Sequence, residues 1–277
     1  MNNFAIFVNT TDRFEDCWEP FFKLFSVYWP GFKGKIYLNT EYKTYQYPGL
    51  DIVSIKNCET TKDADKATWS ECLYRGWTAV DNEVILYMQE DYFFNAPVNN
   101  DEIEKYAAFI RKENISCLHL THASGNGPFF PSKYPGIEEI GQQAHCRLGC
   151  QAALWKKESM FKYIRRYESA WQFETFGTKR AHLIKDSFFN LDVAAASTNS
   201  IIPYVLTGII QGQWKEEVVE LFAKHYIKMD FSIRGFRHYK EPGLIEKIKG
   251  RFKRFPKELP SNIDLLKLRF KLSKENN

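Results

Sequence analysis

The sequence predicts an α/β fold: one domain at residues 1–239 on a Rossmann-type, mostly parallel central sheet flanked by helices, then a basic helical C-terminal tail at 240–277. Three observations predict it. Short β-branched or aromatic runs alternate with segments of helical spacing through the first 120 residues, the order that builds a parallel sheet. Residues 83–88 (EVILYM) form a nearly continuous apolar run, as a central strand covered on both faces requires. Residues 240–277 carry eleven Lys/Arg against five Asp/Glu, so the net charge of +4 divides into about +6 on the tail and about −2 elsewhere.

The elements follow in order. Residues 4–8 (FAIFV) read as a strand, Asn9-Thr10-Thr11-Asp12 as its loop, and 14–28 as a helix with aromatics at helical spacing. Residues 35–39 (KIYLN) and 50–55 (LDIVSI), bounded by Gly and Pro, are further strands. A helix is expected at 65–80, the central strand at 83–88, an acid-led helix at 100–112 and a strand at 116–120. Residues 124–141 are rich in Gly and Pro and read as a long functional loop. Beyond it, 151–155 read as a strand, and 157–167 and 214–225 as helices.

Composition excludes several classes. A chain of 277 residues with 44% hydrophobic content can bury a core and is not disordered. No apolar stretch approaches the roughly 18 to 20 residues that span a bilayer, and no basic leader precedes the first strand, so a cytoplasmic location is expected. The six cysteines are then expected as free thiols. Cys146 and Cys150 lie beside His145, yet no second pair completes a structural zinc site. Neither a dinucleotide fingerprint, a Walker A sequence nor a nucleophile elbow is present.

Glu90 and Asp91 directly follow the central strand, and in an open α/β sheet ligands bind beyond the carboxyl ends of the strands. Adjacent carboxylates repel unless a positive charge lies near, and a divalent cation on a diphosphate would supply it. The plainer reading is a strand-to-loop hinge with solvated acids.

The segment VILYMQEDYFF resembles the hydrophobic strand and DxD-like acidic motif of GT-A glycosyltransferases. The preceding segment, Thr68-Trp69-Ser70 to Trp77, is similar to the matching helix of bacterial capsule and lipopolysaccharide transferases. Residues 151–155, 171–174 (WQFE) and 208–214 (GIIQGQW) resemble later landmarks of that group, so the likeness runs over residues 4–237. The motif departs from the usual pattern in reading Gln-Glu-Asp rather than Asp-x-Asp.

The resemblance implies a nucleotide-sugar donor, with UDP expected, a saccharide or lipid-linked saccharide acceptor, and a divalent metal, Mn²⁺ or Mg²⁺. It assigns the metal or diphosphate contact to Asp91, as catalytic and metal residue, and a ribose or sugar hydroxyl to Glu90. Asn9, Thr10, Thr11, Asp12 and Arg13 match the loop that holds base and ribose, although Thr or Asp there would also cap the next helix. Trp69, Ser70 and Arg75 are further donor candidates, and Arg234 is placed to offset charge on the leaving diphosphate.

Glu174, an acid among aromatics, is the candidate general base, with Glu168 and Asp186 as nearby alternatives. His119, His122 and His145 flank the Gly/Pro-rich stretch and are candidates for acceptor or diphosphate contact. In the tail, Leu244, Ile245, Ile248, Phe252 and Phe255 recur at helical spacing among Lys247, Lys249, Arg251, Lys253 and Arg254. That pattern fits a helix lying peripherally on an anionic inner leaflet, or a solvated helix packed on the domain, and nucleic acid is not an expected partner. The competing function is a non-catalytic carbohydrate-binding or scaffold protein that keeps the fold without the chemistry.

Overall fold

The computed structural model describes residues 3–59, 67–122, 127–197, 201–237 and 244–275. Its first half runs β1 (Ala5–Asn9), a 3-10 turn (Asp12–Cys17), α1 (Trp18–Tyr28), β2 (Lys35–Asn39), β3 (Asp51–Ser54), α2 (Trp69–Thr78), β4 (Val84–Gln89), α3 (Asn100–Glu113) and β5 (Cys117–His119). The second half adds β6 (Phe129–Pro131), β7 (Ile137–Ile140), β8 (Ala153–Lys156), α4 (Lys157–Phe161), α5 (Ala170–Leu183), β9 (Phe188–Leu191) and α6 (Val193–Ser197). The short hairpin β10 (Ile209–Ile210) and β11 (Gln213–Trp214), then α7 (Glu217–Lys224) and α8 (Leu244–Glu275), complete it.

Nine strands form one sheet in the order β3-β2-β1-β4-β8-β5-β9-β7-β6. The β3-β2-β1-β4 half is parallel throughout, as the alternation predicts, with Ile6 opposite both Ile36 and Leu86. β8 inserts antiparallel between β4 and β5, and β7 and β6 add antiparallel pairings at the far edge, so the sheet is mixed. β4 and β5 therefore still point the same way, and the carboxyl ends of β1, β2, β4, β5 and β9 share one edge.

Both faces are covered, which is why the strands read as continuous apolar runs. Ile6, Val8, Leu86 and Met88 pack under α1 and α3 with Phe21, Phe25, Ile103 and Ile110. Phe7, Ile85, Tyr87 and Trp155 pack on the other face with Leu73 and Trp77 of α2 and Phe173 of α5. Local signals set the helix ends: Thr68 accepts the Glu71 N–H at the start of α2, Ser169 and Gln172 form a capping box on α5, and Asn114 closes α3 in the left-handed conformation at φ 55°.

The stretch read as a loop at 124–141 contains the β6–β7 hairpin, although 123–126 lie outside the described residues. The helix expected at 65–80 is α2, and its first expected residues, 65 and 66, also lie outside them. The helices expected at 157–167 and 214–225 are shorter, as α4 and α7.

The tail does form a helix, and its middle docks on α5. Glu168 and Arg180 make a fully buried bidentate pair at 2.9 and 2.6 Å. The Ser261 hydroxyl donates to Glu168 at 2.7 Å, Asp264 pairs with Arg165 at 2.8 Å, and Gln172 Nε2 donates to the Lys257 carbonyl at 2.7 Å.

Candidate functional site

The apolar run of β4 ends where Glu90 and Asp91 emerge, yet neither acid is solvated: they are 8% and 5% exposed. Burial holds the Glu90 carboxyl well above the ordinary carboxylate range, the charge of Asp91 lifts it further, and the Arg234 guanidinium opposes both. Burial also pushes Asp91 up to about 6, offset in part by backbone N–H groups including that of Ile209. One Asp91 oxygen, Oδ2, accepts the Ile209 N–H at 3.0 Å. The other, Oδ1, is buried and has no hydrogen-bond partner among the described residues.

The β10–β11 hairpin that holds Asp91 is the GIIQGQW landmark. Gly208 donates its N–H to the Asp91 carbonyl at 2.9 Å. A Cβ there would lie 2.4 Å from the Phe93 ring and 2.9 Å from that carbonyl oxygen, so only glycine lets the hairpin lie flat on the motif. Beside it, Tyr92 stacks on Tyr204 with centroids 4.8 Å apart.

Arg234 reaches the same edge from the far end of the domain. It grips Asp16 through Nε at 2.6 Å and Nη2 at 2.5 Å, donates to the Arg13 carbonyl at 2.9 Å, and lies 4.6 Å over the Phe14 ring. Asp16, which sequence reasoning missed, also adds to the negative field on Glu90. Cys17 stays a thiol because burial and the carboxylates of Glu90, Asp16 and Asp91 disfavour its thiolate.

The loop after β1 is largely committed to internal bonds. Asn9 accepts from Asn39 Nδ2 at 2.8 Å, and Asn39 in turn accepts from Asn57 at 2.8 Å. The Thr10 hydroxyl accepts the Trp18 indole N–H at 2.9 Å. Asp12 accepts the backbone N–H groups of Glu41, Tyr42 and Lys43 at 3.0 to 3.1 Å, tying this loop to the one after β2. Thr11 is half-buried and Arg13 exposed, leaving them as the outward-facing members.

Of the α2 candidates, Trp69 packs on Phe173 at 5.5 Å, and Ser70 is fully buried with its N–H on the Glu168 carbonyl. Arg75 is held by Glu71 at 2.6 Å and reaches the Asn57 carbonyl. The structure thus brings Glu90, Asp91 and Arg234 together and keeps Trp69 and Ser70 against α5.

Glu174 on α5 is half-buried and accepts the Cys150 N–H at 2.8 Å. The Cys150 carbonyl in turn accepts the Tyr92 hydroxyl at 2.6 Å, so Glu174 connects to the acidic motif through one loop residue. Its two rivals are engaged elsewhere, Glu168 with Arg180 and Asp186 with Lys162 and Tyr163. His122 lies 3.0 Å from Glu138, and His145 is exposed. His119 is buried, which lowers its pKa to about 4, and its Nε2 has no hydrogen-bond partner among the described residues.

A cavity of about 200 Å³ opens past the carboxyl ends of β5 and β9, between Leu120, Thr121, Leu191, Ile202, Tyr204 and Leu206. Tyr204 is its link to the motif: one face of the ring stacks on Tyr92, and its hydroxyl donates to Gln151 at 2.9 Å.

All six cysteines are free, as expected. Among the described residues, one group of possible metal ligands stands together: Glu41, Cys58 and Cys72, with donor atoms within 4.8 Å of one another. It lies in the loops after β2 and β3 and on the first turn of α2 rather than at Asp91, and its thiols suit a soft ion rather than the cation that accompanies a diphosphate.

No family model matches the chain, and no curated protein matches it. Among solved structures, the 1–349 fragment of S. aureus TarS is similar at 15% identity and TM-score 0.48, over 84% of this chain and 68% of that one. The same fragment in complex with UDP-GlcNAc gives 14% and 0.45, over 84% and 69%. A Drosophila β1,4-galactosyltransferase 7 variant in complex with manganese, UDP-Gal and xylobiose gives 13% and 0.37, over 86% and 81%. At these scores the likenesses carry no argument about the site, whose chemistry stands on its own residues.

Proposed function

We propose that the chain is a GT-A-type glycosyltransferase that moves a sugar from a nucleoside diphosphate, UDP by preference, to a hydroxyl of a polysaccharide or lipid-linked saccharide on the cytoplasmic side of a membrane. The carrying observation is the acidic pair: two buried carboxylates at the end of the central strand, one oxygen of which has no hydrogen-bond partner among the described residues. Such an arrangement costs stability in the empty protein and suits a cationic guest.

The hard oxygen donors fit Mg²⁺ or Mn²⁺, and Asp91, with Glu90 beside it, would hold the ion. When bound, the ion supplies neutralisation of the leaving diphosphate. The chain's own residues do the rest. Asp91 is oriented by the Ile209 N–H, so its free oxygen is aimed before the donor arrives. Arg234, fixed by Asp16 and Phe14, adds a preorganised positive charge near Glu90. Thr11 and Arg13 are the loop residues available to base and ribose.

The acceptor is assigned to the cavity beside Tyr204 and, if the reaction inverts configuration, the proton-accepting role to Glu174, which is tied to the acidic motif through Cys150 and Tyr92.

A thermal-shift screen of nucleoside diphosphates and their sugars, with and without Mn²⁺, tests this, because a ligand of the folded state raises the melting temperature. UDP with Mn²⁺ should give the largest shift, and Asp91→Asn should remove its metal-dependent part. No shift with any nucleotide overturns the proposal.

A further inference from the structure

Along α8, five large apolar side chains face solvent: Phe255 at 66% exposure, Leu259 at 48%, Ile263 at 44%, Leu266 at 64% and Phe270 at 63%. Their spacing of four, four, three and four residues puts them on one helical face, a stripe about 22 Å long. Single exposed apolar residues are ordinary, but a continuous stripe needs a partner. The opposite face already has one, since Ser261 is fully buried on Glu168 and Asp264 pairs with Arg165. The stripe is therefore left over after docking.

Along its C-terminal half its borders are basic, while Glu258 flanks its N-terminal end on the arginine side. On helical geometry, Lys267, Lys271 and Lys274 fall along one side and Arg269 along the other. Lys274 reaches back to within 4.5 Å of the Phe270 ring centre, and Lys271 lies 3.8 Å from Glu275. No helix among the described residues is long and apolar enough to cross a membrane. An apolar stripe with cationic borders on a helix that does not span is the form of an interfacial helix. A second copy of the chain is the weaker occupant, because a parallel two-fold pairing of these faces would set the lysine border of one copy against Arg269 of the other.

We propose that the 255–270 stripe of α8 is a docking face for an anionic lipid surface, with the apolar side chains entering the acyl boundary and Lys267, Arg269, Lys271 and Lys274 meeting lipid phosphates. The placement is independent of any transferase activity. It would hold the carboxyl edge of the sheet at a fixed relation to the bilayer, because α8 is locked to α5 by the Glu168–Arg180–Asp264 cluster.

The test is co-sedimentation of the full chain with vesicles of phosphatidylcholine alone and of phosphatidylcholine with phosphatidylglycerol, at low and high salt. Binding should require the anionic lipid and weaken with salt. The variant Phe255→Ser/Leu266→Ser/Phe270→Ser should lose about tenfold in partition per aromatic removed. The variant Lys267→Gln/Lys271→Gln/Lys274→Gln should lose about fivefold per lysine on anionic vesicles. These side chains are exposed, so both variants should melt with the wild type and keep its UDP-induced shift, which separates failure here from failure of the transferase proposal. Wild-type protein that stays in the supernatant with anionic vesicles at low salt overturns the inference. So does a concentration-dependent dimer, seen by analytical ultracentrifugation, that the serine variant dissolves.

Discussion

Replacing Asp91 with Asn should stabilise the ligand-free protein at neutral and alkaline pH while removing its response to metal. Burial raises the Asp91 carboxyl from its ordinary 3.8 to about 6, in the company of Glu90, Asp16, Cys17 and Arg234. Because the native state holds this proton more tightly than the unfolded chain, stability is highest below about pH 4 and falls as pH rises toward 6, by about 3 kcal/mol in all. Asn keeps the acceptor for the Ile209 N–H and cannot ionise. It also replaces the unpartnered Oδ1 by a group whose own desolvation costs about 1–2 kcal/mol, a term independent of pH.

The clean signal is the pH dependence. Urea unfolding of both proteins in chelator should show their stability difference moving by about 1–2 kcal/mol in the variant's favour between about pH 5 and pH 8. A difference that is flat with pH, or that moves toward the wild type, would refute the claim that Asp91 is held ionised at a cost.

Three further outcomes follow from the packing. Gly208→Ala should cost about 1–3 kcal/mol by driving a methyl into Phe93 and should weaken UDP binding by shifting the Ile209 N–H; denaturation and a UDP titration check the two effects separately. Arg180→Met strands the buried Glu168 and should cost about 3–5 kcal/mol in denaturant unfolding, much of it recovered when Glu168→Met is added. Asp12→Ala frees three backbone N–H groups at the 41–43 turn and should cost about 1–2 kcal/mol, with faster amide exchange confined to that turn.

The parallel half of the sheet was legible because each of its strands carries a continuous apolar run between turn residues. The β6–β7 hairpin was not, since strands of three and four residues containing Pro131 look like loop. Helix α5 escaped notice beyond its WQFE start because Thr178 and Arg180 share its buried side, so no clean apolar stripe marks it.

The same limits apply at the site. Glu90 and Asp91 stood out by position after the central strand. Their environment did not, because the groups that make it are a backbone N–H from Ile209 and a salt bridge between residues 16 and 234, neither of which has a local signature. Asn9 and Asp12 illustrate the converse: polar side chains at a ligand edge look alike in sequence whether they face a nucleotide or brace a loop, and here they brace. The tail's basic, amphipathic character was readable, but not which face α5 takes. The side chains of 244–254 lie outside the described residues, and the exposed stripe runs from Phe255 onward.

The most direct test of the central claim is UDP release from UDP-sugars by the wild-type protein with Mn²⁺ and no acceptor, set against Asp91→Asn. Slow, metal-dependent release that falls ~100-fold or more in the variant is the predicted result. Release that is absent from the wild type with every UDP-sugar, or unchanged in the variant, would contradict it.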